Sequence, residues 1–124
     1  MKSCLHIDND PDDQDYFIDT VHQISSTAGC FAVSNTEEAF LTLISQNLTP
    51  DYIFVSLELP VIDGFQFLER IKKIPQFSGI PVVMLTSNYS TEIIEKATKF
   101  GASAIYSKTR RDALRQILAP YFGR

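Results

Sequence analysis

Short apolar runs alternate with helical patterns five times along the chain. Cys4–Ile7 reads as a short strand, and in the following Pro11–Ser26 the residues Phe17, Val21 and Ile24 recur on one helical face. Pro11 suits the first turn of that helix, and Asp10, Asp12 and Asp13 suit its positive end. Gly29 breaks the chain before a second strand near Cys30–Val33, after which Thr36 caps a helix whose apolar face is Ala39, Phe40, Leu43 and Ile44. Beyond the polar turn Asn47–Asp51, Tyr52–Leu57 is nearly continuous in apolar character, as a strand covered on both faces should be. Asp63-Gly64 opens a third helix, with Phe65, Phe67, Leu68 and Ile71 as its apolar side. Pro75–Gly79 is a loop before the fourth buried run, Ile80–Leu85, and Pro81 excludes only the first residue of that strand. Ser90 or Thr91 caps a fourth helix that runs through Phe100 and ends at Gly101. Ala102–Ser107 is a fifth strand, and Arg110–Phe122 a last helix carrying Leu114, Ile117 and Leu118.

Strict alternation of buried strands with helices predicts an α/β fold: a five-stranded parallel sheet with helices on both faces. Right-handed crossovers favour the flavodoxin-like strand order 2-1-3-4-5. The 124 residues fit one domain, read as spanning 1–124 with no effector domain, and 44% hydrophobic residues supply a core. Eleven basic against 15 acidic residues give a formal charge of −4, which argues against a general nucleic-acid surface. No segment approaches the length of an apolar membrane span and no secretory leader is visible, so the expected location is the cytoplasm. Cys4 and Cys30 do not amount to a disulfide framework and read as buried free thiols. His6 and His22 are far from any zinc-like spacing, and structural roles are expected for both.

In such a sheet, function lies at the carboxyl ends of the strands. Asp8, Asn9 and Asp10 follow the first run, Ser56, Leu57 and Glu58 the third, Thr86 and Ser87 the fourth, and Lys108 and Thr109 the fifth. Carboxylates, hydroxyls and a lysine therefore converge on one rim. Carboxylates there could hold Mg²⁺, which prefers oxygen ligands, while a lysine and a hydroxyl could bind an anion. The loop Asp8–Asp13 would repel a phosphate, and no G-x-G-x-x-G or Walker pattern occurs, so a flavin or nucleotide site is disfavoured.

The ordered set resembles a response-regulator receiver domain of two-component signalling over essentially the whole chain. Ile7-Asp8-Asn9-Asp10-Pro11 matches the family's acidic pair after the first strand. Pro60-Val61-Ile62-Asp63-Gly64 matches its P-x-x-D-G turn, and the phosphoacceptor aspartate lies four residues before that proline, where this chain has Ser56. Thr86 in Val83-Met84-Leu85-Thr86-Ser87 and Lys108 after Ser107 match the hydroxyl and the lysine.

The departures from the family pattern bear on mechanism. A serine hydroxyl cannot form the labile acyl phosphate that a carboxylate forms. Asn9 stands where the resemblance implies a second acidic metal ligand, so two formal negative charges are missing and any Mg²⁺ site at Asp8, Asn9 and Glu58 should be weak or lost. Glu58 could turn inward, but is expected to point to water. The family's switch aromatic before the lysine is replaced by Ile105, with Tyr106 displaced by one onto the other face of the strand. The proline that usually follows the lysine is Thr109, for which a trans bond is expected. Lys108, without its aspartate, is expected to pair with Asp8 or Glu58.

The resemblance thus implies a non-enzymatic pseudo-receiver in a phosphorelay, acting through protein contacts with a histidine kinase or other signalling protein. No nucleic-acid or membrane partner is expected. The face of the fourth helix, fifth strand and fifth helix, with Tyr106, Arg110, Arg111 and Tyr121, is the expected contact surface for partners or a second copy. The alternatives are a phosphorylatable single-domain regulator using an altered site and, less favoured, a flavodoxin-like small-molecule-binding protein.

Overall fold

A computed structural model describes residues 2–108 and 113–123. Five strands, β1 (Ser3–Ile7), β2 (Gly29–Val33), β3 (Tyr52–Ser56), β4 (Val82–Thr86) and β5 (Ala104–Ser107), alternate with α1 (Pro11–Ile24), α2 (Thr36–Ser45), α3 (Gly64–Ile71), α4 (Thr91–Phe100) and α5 (Leu114–Phe122). All neighbouring strands are parallel, in the order β2-β1-β3-β4-β5, as the alternation predicts.

Helix boundaries follow local chemistry. Asp10 caps α1 by accepting from the Asp12 N–H at 2.9 Å, and Pro11 fills the first helical position, where a missing N–H costs nothing. The cap of α2 is Asn35, whose side chain accepts from the Glu38 N–H. Thr36, expected as that cap, is instead the first helical residue, and its hydroxyl donates to the Ile62 carbonyl. An amide oxygen one residue earlier reaches the third helical N–H, which leaves the hydroxyl to tie α2 to the β3–α3 loop. Asp63 and Gln66 form a reciprocal capping box on α3, and Ser90 caps α4. Gly101 ends α4 with φ 93°, a left-handed conformation that costs glycine little. Helix α1 stops two residues short of Ser26, and the described part of α5 begins at Leu114. The first residues assigned to α5 from sequence, Arg110 and Arg111, lie outside the described residues, as does Thr109.

The strand alternation splits the core in two. Leu5, Ile7, Ile53, Val55, Val82 and Met84 face α2, α3 and α4, where Ala39, Leu43, Phe67, Leu68 and Ala97 cover them. Cys4, Phe54, Val83 and Leu85 face α1 and α5, covered by Phe17, Val21, Leu118 and Phe122. Registered partners in a parallel sheet share a face, so Ser56, Leu85 and Tyr106 all point toward α1 and α5, whereas Ile105, registered with Met84, packs on the α4 side. The displaced aromatic has indeed changed face. The Tyr106 hydroxyl lies 3.3 Å from that of Tyr121, which itself packs edge-on against Tyr52 and Phe54. Both tyrosines are half-buried in this cluster, so they offer less to a partner than their place in the sequence suggests.

Gly64 fixes where α3 meets the sheet. A Cβ there would lie 2.9 Å from both the Leu57 Cα and the Ser56 carbonyl oxygen, and 3.0 Å from the Met84 Cε. Two of these atoms are backbone at the end of β3, so relief requires moving the rim itself. Gly64→Ala is therefore predicted to destabilise the fold by about 1–3 kcal/mol in urea unfolding. An unchanged midpoint would mean that the β3–α3 junction is looser than its spacing indicates.

Candidate functional site

The strand ends deliver three side chains to one point above the α1/α5 face. Asp8 follows β1 with the same parity as Cys4 and His6, Ser56 ends β3, and Lys108 follows β5 with the parity of Tyr106. The Lys108 Nζ lies 3.0 Å from Asp8 Oδ2 and 3.0 Å from Ser56 Oγ, donating to both. Asp13, on the first turn of α1, brings a second carboxylate oxygen to 3.5 Å from the same ammonium. Asp8 is 2% exposed and Ser56 1%, so nearly all polar contact of Asp8 must come from protein groups. Its other oxygen, Oδ1, accepts from the Asp10 N–H at 3.0 Å.

The backbone around Asp8 is held from β2 and α1. The Asp8 N–H donates to the Val33 carbonyl at 3.1 Å, and the Gln14 side-chain amide donates to the carbonyls of Asp8 and Val33 at 2.6 and 3.2 Å. Gln14 was not singled out from the sequence, and Asp13 was read only as an acidic residue suiting the start of the first helix. Acidic and polar residues opening a helix have a sufficient local explanation, and nothing in their spacing reveals that two of them turn back to the rim.

A second cluster forms on the other side of Ser56. Glu58 was expected to point to water, but its carboxylate folds back over the rim. Oε2 accepts from the Thr86 hydroxyl at 2.6 Å, while Oε1 accepts from the Ser87 N–H at 2.9 Å and the Ser87 hydroxyl at 3.1 Å. Three donors on one carboxylate outweigh hydration, since charge-assisted bonds are about twice as strong as neutral ones. Thr86 is fully buried and completely satisfied: it donates to Glu58 and accepts from the Asn88 N–H at 3.0 Å. The loop between Glu58 and α3 carries Val61 at φ 66° and 95% exposure, an uncommon conformation for a β-branched residue.

This donor set fits a divalent cation poorly. Asp8 is committed to Lys108, Glu58 to Thr86 and Ser87, and Asn9 is exposed and uncharged. Among the described residues no group of three or more His, Cys, Asp or Glu side chains is arranged to hold a metal. Of the residues the resemblance implies as ligands, Asp8 and Asn9 stay at the end of β1, while the Glu58 carboxylate turns to the end of β4.

His6 lies beneath the rim. Its ring stacks on Phe17 at 3.9 Å between centroids, and Nε2 is 3.9 Å from Asp8 Oδ2, beyond hydrogen-bond range. With Asp8, Asp13, Tyr16, Lys108 and Leu114 it lines a cavity of about 40 Å³ between the sheet, α1 and α5. Burial, and secondarily the Lys108 charge, lower the His6 pKa to about 3 against an opposing pull from Asp13.

Three comparisons bear on what this rim belongs to. The model of the response regulator receiver domain matches residues 7–119. Response regulator Rre1 of Synechocystis is 29% identical over 109 residues, covering 86% of this chain and 45% of that protein. A gliding motility regulatory protein of Myxococcus xanthus is 36% identical over 72 residues, 58% of this chain and 9% of that protein. The chain thus spans less than half the length of either relative. In structure it is similar to the Vibrio cholerae chemotaxis protein CheY4, with a TM-score of 0.83 at 21% identity, covering 97% and 98% of the two chains. It is similar also to the phosphorylated cyanobacterial phytochrome response regulator RcpA, with a TM-score of 0.85 at 20% identity over 95% and 91%. The fold defines a doubly wound α/β domain, and the chain belongs to the response regulator receiver family of two-component signalling. Among the described residues no helix is long and apolar enough to cross a membrane.

The environment of His6 gives a pH prediction. Its folded pKa, about 3, lies below the ordinary 6.5, so the unfolded chain binds the proton that the fold refuses. The stability due to neutral His6 is complete above pH 6.5 and falls as the pH drops toward 3, by up to about 1.4 kcal/mol per pH unit. His6→Phe keeps the stacking on Phe17 and should remove this slope between pH 6.5 and 5 in urea titrations. Equal slopes in both proteins would show that His6 is protonated in the fold.

Proposed function

We propose that this chain acts as a pseudo-receiver, a receiver domain that signals through protein contacts without carrying a phosphoryl group at the usual position. The observation that carries this reading is the state of the rim. Ser56, Thr86 and Lys108, at the acceptor, hydroxyl and lysine positions, each already have a partner within the protein. Ser56 stands at the acceptor position, and its hydroxyl takes a hydrogen bond from Lys108. The resemblance implies that the threonine hydroxyl moves toward the phosphoryl group; here Thr86 is already held by the Glu58 carboxylate, and Ser87 by both its N–H and its hydroxyl. Glu58 supplies negative charge and acceptor oxygens to these donors, the same chemistry that a phosphoryl group would bring. The switch residues are thus fixed in one arrangement by the sequence itself.

Mg²⁺ affinity on this reading is weak, since the carboxylates at hand are taken. The output is contact with a histidine kinase or another signalling protein in the cytoplasm, with no enzymatic step and no nucleic-acid or membrane partner. The partner face comprises α4, β5 and α5, and a homodimer through it belongs to the same reading. Of its named residues, Arg110 and Arg111 lie outside the described residues, while Tyr106 and Tyr121 contribute only their half-buried edges. Phosphorylation at an altered site would need Asp8 or Glu58 as acceptor. Against it stand the ion pair of Asp8 with Lys108 and the three donors on Glu58.

Intact mass after incubation with Mg²⁺ and acetyl phosphate, beside a Ser56→Asp variant, tests this reading. The wild type is expected to gain no phosphoryl mass. A Ser56→Asp chain that does gain it would locate the loss of chemistry at that residue, and one that does not would extend it to Asn9 and the Glu58 clamp. A labelled wild type would overturn the pseudo-receiver reading.

A further inference from the structure

The pair Cys4 and Cys30 takes no part in the rim. The two are registered partners on β1 and β2, both free, and their Sγ atoms are 3.6 Å apart with the Cys4 S–H directed at Cys30. Adjacent strands run about 4.7–4.9 Å apart, inside the roughly 4.4–6.8 Å Cα separation that disulfides span. Closing the bond therefore calls for the sulfurs to approach, without a new strand arrangement. The edge position of β2, which pairs with β1 alone, lets it make that adjustment without disturbing another ladder.

We propose that Cys4 and Cys30 form a reversible disulfide within the chain when exposed to a peroxide, with Cys30 as the attacking sulfur and Cys4 as the resolving one. Cys30 is half-buried and reachable from solvent, whereas Cys4 is fully buried. The hydrogen bond from Cys4 lowers the Cys30 pKa and so enriches the reactive thiolate. The Cys4 thiol is pushed up, chiefly by the same hydrogen bond and then by burial, and the first of these causes lapses once Cys30 is oxidised.

In the first step the Cys30 thiolate attacks one peroxide oxygen, and the O–O bond breaks to give a sulfenic acid and hydroxide, which takes a proton to become water. In the second, Cys4 attacks the sulfenic sulfur; the S–O bond breaks, the S–S bond forms, and hydroxide leaves with the Cys4 proton as a second water. Two thiols and one hydrogen peroxide thus give one disulfide and two waters, and a dithiol reductant reverses the bond. The bridge would staple the strand pair whose far end supplies the Val33 carbonyl to Asp8 and Gln14, so it would brace the backbone that carries the rim carboxylate.

The test treats the folded chain with hydrogen peroxide, then unfolds it, alkylates with N-ethylmaleimide and measures intact mass. The expected product is a monomer lighter by two hydrogens with no maleimide, which dithiothreitol converts to a species carrying two. Two maleimides after peroxide, Cys30 oxidised to sulfinic or sulfonic acid beside an alkylated Cys4, or a disulfide found only between chains would each overturn the proposal. Cys4→Ser should leave a sulfenic acid on Cys30 that dimedone traps, and Cys30→Ser should leave Cys4 alkylatable. The reverse pattern would overturn the assignment of roles, and because the wild-type mass is read independently, a variant that folds poorly does not blunt the test.

Discussion

The ion pair between Asp8 and Lys108 is the contact on which the rim depends. A carboxylate with 2% exposure has given up nearly all of its water, and an uncompensated buried charge would cost several kcal/mol. Lys108 reaches it from the last strand, at 3.0 Å, across a sequence separation of 100 residues. The contact therefore depends on the register of β1, β3, β4 and β5, and Asp13 on α1 approaches the same ammonium at 3.5 Å. Its partial exposure leaves Lys108 some water, which softens the desolvation cost on the basic side. In turn the pair sets what Ser56 can do: the hydroxyl sits at the ammonium as an acceptor and ties the end of β3 to the residue after β5.

Glu58 carries the neighbouring half of the rim. A receiver whose acceptor residue is missing would otherwise leave Thr86, buried at the end of β4, with a hydroxyl and no acidic partner. The carboxylate two residues after Ser56 supplies that partner and also takes the Ser87 N–H, a donor that the turn after β4 leaves open. Replacement of the acceptor and inward rotation of Glu58 are then two aspects of one arrangement. The first removes negative charge from β3, and the second returns it to the β4 end, where it holds the threonine. Ile105 and Tyr106 fit the same picture. The strand residue facing α4 is aliphatic and packed, and the aromatic is spent on Tyr121 within the α1/α5 cluster.

The fold was legible because its signals are redundant. Five buried runs, the acidic start of α1, Asp63-Gly64 before α3, Ser90 or Thr91 before α4 and Gly101 after it each point to the same alternation, and strand order follows from handedness. The residues of the rim were legible as a set because strand ends must meet at one edge. What they do to one another was less so. The direction of Glu58 depends on which donors the next strand leaves unpaired, a non-local fact; sequence offers only an exposed acidic residue in a turn. Asp13 and Gln14 had complete local explanations as helix-opening residues, which concealed their second partners. The choice of Asn35 over Thr36 as cap turns on one residue of phase, where sequence patterns discriminate least.

The central claim is that the rim is satisfied from within and does not respond to a phosphoryl group. The most direct measurement is a two-dimensional ¹H–¹⁵N spectrum recorded while Mg²⁺ and beryllium fluoride, a phosphoryl mimic that builds on an acceptor carboxylate, are titrated into the protein. The account predicts no saturable movement of the Thr86, Ser87 and Lys108 amide signals. Saturable shifts that begin at the β3 end and spread to Thr86 and Ser87 would show that the site still accepts a phosphoryl-like group and that Glu58 yields to it, contradicting the account.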